Sequence, residues 1–161
     1  MIYRDFQDKK LSLLGFGAMR LPQLADGSID EEQVRQMTRL AMDCGVNYFD
    51  TAWPYHGGAS ETVMGRVLKD YPRESFYLAT KYPGHQIIGD QNPAAIFEKQ
   101  LEKCGVEYFD FYLLHSLNRD IWNTFKAVNA YENLKEKKAQ GKIRHLGFSF
   151  HGDIELFKEL L

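Results

Sequence analysis

Hydrophobic and polar positions along this chain alternate between two rhythms. Short continuous apolar runs, which suit buried strands, are separated by stretches whose apolar residues recur every three or four positions, which suits helices. At the start, Met1 to Ser12 predicts a small hairpin, with Ile2, Phe6 and Leu11 apolar around the polar turn Q-D-K-K. The run L-L-G-F-G-A-M-R then reads as a first strand ending in a glycine-rich loop. Asp30 opens a helix by capping Gln33, with Ile29 and Val34 as a hydrophobic staple. Val34, Met37, Leu40, Ala41 and Cys44 fall on one face of it, and Gly45 ends it in a left-handed turn. The strand V-N-Y-F-D follows at once.

The same alternation continues. Ala59 to Lys69 predicts a helix and Phe76 to Lys81 a strand. Asn92-Pro93 starts a helix whose apolar face carries Ile96, Phe97, Leu101 and Cys104, closed by Gly105. Phe109 to His115 is a strand. Trp122, Phe125, Val128, Tyr131 and Leu134 trace one long amphipathic helix ending before Gly141. Lys142 to Phe150 is a fifth strand, and Asp153 caps a last helix. Units repeat roughly every 30 to 35 residues with no linker, so residues 1–161 form one α/β domain with a helix-covered parallel sheet.

Composition narrows the partners. The chain has 161 residues, 44% hydrophobic and 26% charged, with a formal net charge of −2. That balance gives no reason to expect nucleic acid or an anionic membrane. The first ten residues are too charged for a secretion signal, and no apolar run approaches the roughly 20 residues that span a bilayer. A cytoplasmic protein is expected. Cys44 and Cys104 are the only cysteines and are expected to be buried thiols rather than a disulfide. The G-F-G-A-M-R run fails as a dinucleotide fingerprint, because Arg20 replaces the third glycine and Pro22 blocks an immediate helix.

An internal echo points to the chemistry. Cys44-Gly45-Val46-Asn47-Tyr48-Phe49-Asp50 recurs as Cys104-Gly105-Val106-Glu107-Tyr108-Phe109-Asp110. After Asp50 the chain turns polar, whereas Asp110 leads into F-Y-L-L-H, so Asp50 ends a strand and Asp110 begins one. Ligands of parallel α/β folds bind outside the carboxyl ends of strands. Asp50, Lys81, His115 and Ser149 stand at those ends, in phase with Tyr48, Ala79, Leu113 and Gly147, which aims them to one side. Tyr55 follows Asp50 in the adjoining loop. An ammonium beside a phenol favours its anion, a carboxylate orients the ammonium, and an imidazole can orient a carbonyl. The set suits proton donation to a carbonyl oxygen as it becomes an alkoxide.

The ordered motifs D-T-A-x-x-Y-x-x-G-x-S-E, T-K, D-F-Y-L-L-H and G-K-I-R-x-L-G-F-S resemble those of the aldo-keto reductase family, from about Leu14 to Phe150. The resemblance implies a TIM (β/α)8 barrel fold and NADPH-dependent reduction of an aldehyde or ketone to an alcohol. It assigns Tyr55 as proton donor, Lys81 as the group that favours its phenolate, Asp50 as partner of Lys81, and His115 as the residue orienting the substrate. Ser149 matches the serine that contacts the cofactor's carboxamide, and Gly17, Ala18 and Met19 match the loop beside the nicotinamide. Phe150 stands where the family commonly has asparagine, and His56 where glycine often follows the tyrosine. The G-F-S-F-H version is similar to a bacterial branch whose longer members add a C-terminal iron–sulfur domain.

A complete barrel has eight strands and about 250 residues. Five βα units are expected here, a partial barrel whose cofactor phosphate and adenosine sites lie largely outside the chain. The reading is therefore a truncated portion of a reductase acting on a small carbonyl substrate. Trp53, His56 and Tyr82, with Trp122, are candidates for lining the substrate pocket. An open sheet edge invites self-association, so a noncatalytic assembly module is a competing reading. A metal-dependent enzyme using Asp50, His115 and His145 or His151 is a weaker one, because Lys81 would repel a cation. A Schiff base at Lys81 is disfavoured by the neighbouring Asp50.

Overall fold

A computed structural model describes residues 1–86 and 91–161. Two strands, β1 (Tyr3–Phe6) and β2 (Lys9–Ser12), form the expected hairpin, with Gln7 in the left-handed region at its tip. Phe6 places its ring 5.6 Å from Phe111 and 5.3 Å from His145, so the hairpin lies against one end of the main sheet. That sheet has five strands in chain order: β3 (Phe16–Gly17), β4 (Tyr48–Asp50), β5 (Tyr77–Tyr82), β6 (Phe109–Leu117) and β7 (Ile143–Phe150). Every neighbouring pair is parallel, which requires the crossover helices that the alternating pattern predicts.

The connecting helices are α1 (Glu31–Asp43), α2 (Ser60–Leu68), α3 (Pro93–Cys104), α4 (Arg119–Ala127), α5 (Ala130–Ala139) and α6 (Ile154–Leu160). The caps expected for α1, α3 and α6 are in place. Asp30 accepts from Gln33 N at 3.0 Å, Asn92 from Ala94 N at 3.0 Å, and Asp153 from Leu156 N at 2.8 Å. Gly45 (φ 84°) and Gly105 (φ 63°) end α1 and α3 in left-handed backbone. The aromatic core between sheet and helices includes Phe49, Phe97, Phe109, Tyr112 and Phe125, all fully buried.

Three expectations need correction. On α1, Val34 and Thr38 are buried, but Met37, Leu40 and Cys44 are exposed, Leu40 to 66%. Periodicity gives the phase of a stripe only approximately, and here the buried line runs through Thr38, whose methyl is apolar. Cys44 is thus not the buried thiol expected, whereas Cys104 is. The long helix from Trp122 to Leu134 is two helices, broken at Val128 and Asn129. Asn129 takes φ 51°, a conformation asparagine tolerates and that no apolar pattern records.

Candidate functional site

The strand ends bring the four expected groups together. Lys81, near the end of β5, is 5% exposed. Its Nζ donates to Asp50 Oδ1 at 2.7 Å, to the Thr51 carbonyl at 2.8 Å and to Tyr55 Oη at 3.2 Å. Those bonds use every hydrogen of the ammonium. Tyr55 enters from a 3-10 turn over Tyr55–Gly58, and its half-buried ring meets His115 edge-on at 6.1 Å. The second aspartate of the echo serves elsewhere. Asp110 accepts from Leu78 N at 2.9 Å and from Arg73 Nη2 at 2.6 Å at the start of β6.

His115 is buried on β6, and its Nδ1 has no hydrogen-bond partner among the described residues. Burial brings its imidazole down to about 4, and the positive charges of Lys81, His85 and His151 act in the same direction. It is therefore neutral at pH 7, with one N–H to donate and one nitrogen to accept. The next residue, Ser116, takes φ 57° where the β6–β7 register shifts between Leu114 and Leu117. This bulge turns Ser116 N–H onto Ser149 Oγ at 2.7 Å, leaving the Ser149 hydroxyl hydrogen for another acceptor.

Behind Asp50 a chain of hydroxyls locks the loops. Ser60 Oγ donates to the Ala18 carbonyl at 2.9 Å, so in the 2.9 Å contact between Thr51 Oγ1 and Ser60 Oγ the donor is Thr51. Ala18 is fully buried, which fixes the loop on which Gly17 and Met19 are exposed. Space beside Gly17 is open, with nothing within 4 Å of where a Cβ would stand.

The substrate-pocket expectations fare differently. His56 takes φ 53°, which explains glycine's suitability there, and its Nε2 accepts from Leu21 N at 2.8 Å. It ties two loops together, so its accepting nitrogen is engaged. Trp53 lies under the Lys103 ammonium, 4.3 Å from the ring centre, on the side where α3 packs. Tyr82 is fully buried, donates to the Gln91 carbonyl at 2.6 Å, and packs on Phe125. Trp122 lines a separate cleft with Leu117, Leu146 and Leu160. As placed, Tyr82 packs in the core, and the cleft that Trp122 lines includes neither Tyr55 nor Lys81. His145 stacks on Phe111 at 4.9 Å, away from Asp50 and His115. Among the described residues, no group of three or more His, Cys, Asp or Glu is placed to hold a metal ion. A cleft of about 570 Å³ runs along one side of the sheet from the hairpin to Phe148 and includes neither Tyr55 nor Lys81.

Residues missed in the sequence form a second layer. Glu61, Thr80, Gln100 and Tyr112 are fully buried in one polar cluster against β5. Gln100 shares the apolar face of α3 with Phe97, Leu101 and Cys104, and a glutamine at that phase was the available signal. His85, in the 3-10 turn after β5, sets its ring 5.8 Å from His115.

The five-stranded parallel sheet, with Asp50, Lys81, Tyr55 and His115 gathered at its strand ends, is an α/β fold of the TIM-barrel type. The sequence model of the Aldo/keto reductase family matches residues 13–161, and the chain belongs to that family. It is 29% identical to "Probable aldo-keto reductase 1" of Glycine max, over 89% of this chain and 42% of that protein. It is 28% identical to the "NADH-specific methylglyoxal reductase" of Escherichia coli, over 87% of this chain and 48% of that protein. Among solved structures, the holo form of AKR11C1 from Bacillus halodurans matches 99% of this chain and 53% of its own, with a TM-score of 0.75 at 29% identity. An aldo-keto reductase from Klebsiella pneumoniae in complex with NADPH matches 91% and 48%, with a TM-score of 0.72 at 27% identity. The chain thus spans about half the length of the curated relatives it matches. Among the described residues, no helix is long and apolar enough to cross a membrane.

Proposed function

We propose that the chain is the proton-donating portion of a longer NADPH-dependent reductase that converts a small aldehyde or ketone to an alcohol. The observation that carries this reading is the arrangement of Lys81 Nζ on Asp50, Thr51 and Tyr55 together. Because Lys81 donates to Tyr55 Oη, the phenol's own hydrogen is left to face outward, toward a substrate oxygen. As that oxygen gains charge, Tyr55 delivers its proton, and the ammonium stabilises the phenolate left behind. Asp50 holds the ammonium in place. His115, neutral at pH 7, offers an N–H to the same oxygen and so fixes the carbonyl's direction.

A nicotinamide, when bound, supplies the hydride that adds to the carbonyl carbon. The residues present fit such a group: Ser149 Oγ keeps a free hydrogen for a carboxamide oxygen, and Gly17 leaves open space beside the Ala18–Met19 loop. The share of relatives' length covered and the five-stranded sheet support reading the chain as part of a larger enzyme. NADPH is proposed as the dinucleotide by similarity to the Klebsiella structure, and the relative named as NADH-specific makes NADH the competitor. The protein is proposed to act in the cytoplasm.

The test is Tyr55→Phe in the full-length protein with NADPH and NADH as alternative reductants. Turnover is expected to fall at least about a hundredfold, the scale of a lost general acid, while dinucleotide affinity stays unchanged. Wild-type turnover in the variant would sink the assignment.

A further inference from the structure

The buried polar cluster behind β5 has a geometric reason tied to Lys81. β4 ends at Asp50, while β5 continues to Tyr82. The Ala79 carbonyl is still taken by Thr51 N at 2.9 Å. Two residues further on, the Lys81 carbonyl faces the same way, because carbonyls of a strand alternate in direction. By then β4 has turned into its loop. Gln100 supplies the bond from α3: its Nε2 donates to the Lys81 carbonyl at 3.0 Å and to Glu61 Oε1 at 2.5 Å.

The amide is held from all sides. Tyr112 Oη donates to Gln100 Oε1, which sets the nitrogen toward Lys81. Burial keeps the Tyr112 phenol protonated and therefore a donor. Glu61 is held in turn by Thr80 Oγ1 at 2.7 Å and by Lys103 Nζ, 2.7 Å from its other oxygen. A fully buried carboxylate needs these partners, and without them the pair would cost more than it returns. The cluster is enclosed by aromatic and aliphatic side chains of the core, Phe97, Leu101 and Phe125 among them.

We infer that Gln100, braced by Glu61 and Tyr112, is a positioning residue for Lys81. By completing the bond that β4 gives up, it fixes the end of β5 so that the ammonium meets Asp50, Thr51 and Tyr55 at once. The catalytic meaning of that position rests on the function proposed above, but the positioning itself does not.

The test measures acetylation of individual lysines by acetic anhydride, read by mass spectrometry on the folded chain. Gln100→Met keeps the volume and removes both donors. Lys81 is expected to acetylate about tenfold faster in this variant, as for a group that has lost one buried hydrogen-bond constraint. Lys137, paired with Glu98 at 2.8 Å on the protein surface, serves as the internal reference and is expected to keep its rate. Tyr112→Phe, a milder change that only frees the amide to flip, is expected to give a smaller increase at Lys81 and carries the test if Gln100→Met does not fold. Equal acceleration at Lys81 and Lys137 would overturn the inference. So would equal acceleration of Lys81 by Leu101→Ala, which loosens α3 without touching the cluster. Because acetylation reads no turnover, these results stand apart from the Tyr55→Phe outcome.

Discussion

His115 is the residue whose environment departs furthest from solution among the site's histidines. Its folded value near 4 lies below the ordinary histidine value of 6.5, so the unfolded chain binds more protons between those limits. Stability from keeping it neutral is therefore complete above about pH 6.5 and is lost as pH falls toward 4. The loss is a few kcal/mol at most, from the shift converted at the usual rate. His85 and His145, both lowered by burial, act with the same sign. Urea unfolding of wild type and His115→Gln at pH 7.5 and 4.5 isolates the share of His115: the variant is expected to lose less stability on acidification. Parallel losses would show that the charge penalty lies elsewhere. At this scale Asp50, Lys81 and His115 were legible because a strand's two-residue period and its end point can be counted. His56, Tyr82 and Gln100 were not, because their roles depend on backbone angle or on partners distant in the chain: His56 meets Leu21, and Gln100 meets Glu61.

Among the elements, α2 and α3 carry the site's support and pack closely. A Cβ at Gly65 in α2 would stand 2.5 Å from the Cys104 carbonyl oxygen at the end of α3, with backbone rather than a movable side chain in the way. Gly65→Ala is expected to destabilise by about 1–3 kcal/mol, the cost of overpacking, despite alanine's better helix propensity. A gain in thermal stability would show that the helices can separate freely. Caps and terminating glycines were legible, since Asp30, Asn92, Gly45 and Gly105 each act locally. The break at Asn129 was not, because apolar residues recur every three positions from Trp122 to Leu134 while one left-handed residue redirects the chain. The α1 stripe was misphased for a related reason: Thr38 is buried as if apolar, while Leu40 is not.

Across the whole molecule, the winding was legible from the repeat of strand and helix alone, because parallel neighbours leave no other way to connect. What remains open in the sheet, among the described residues, is one side of the two-residue β3 and one side of β7, each of which pairs with a single neighbour. An eight-residue strand with an unpaired side is a template for another chain, and this favours the assembly reading as a second possibility for the isolated segment. Sedimentation of residues 1–161 together with NADPH titration separates the readings. The assembly reading expects concentration-dependent dimers without dinucleotide binding, and a monomer binding NADPH at micromolar affinity would contradict it. Asp50, Lys81 and Tyr55 are proposed to act as one proton-donating unit. The most direct measurement compares turnover of Tyr55→Phe, Lys81→Met and the double variant in the full-length enzyme. For a single unit, the double variant is expected to be no slower than the slower single one. Losses that multiply would mean that the two side chains act independently.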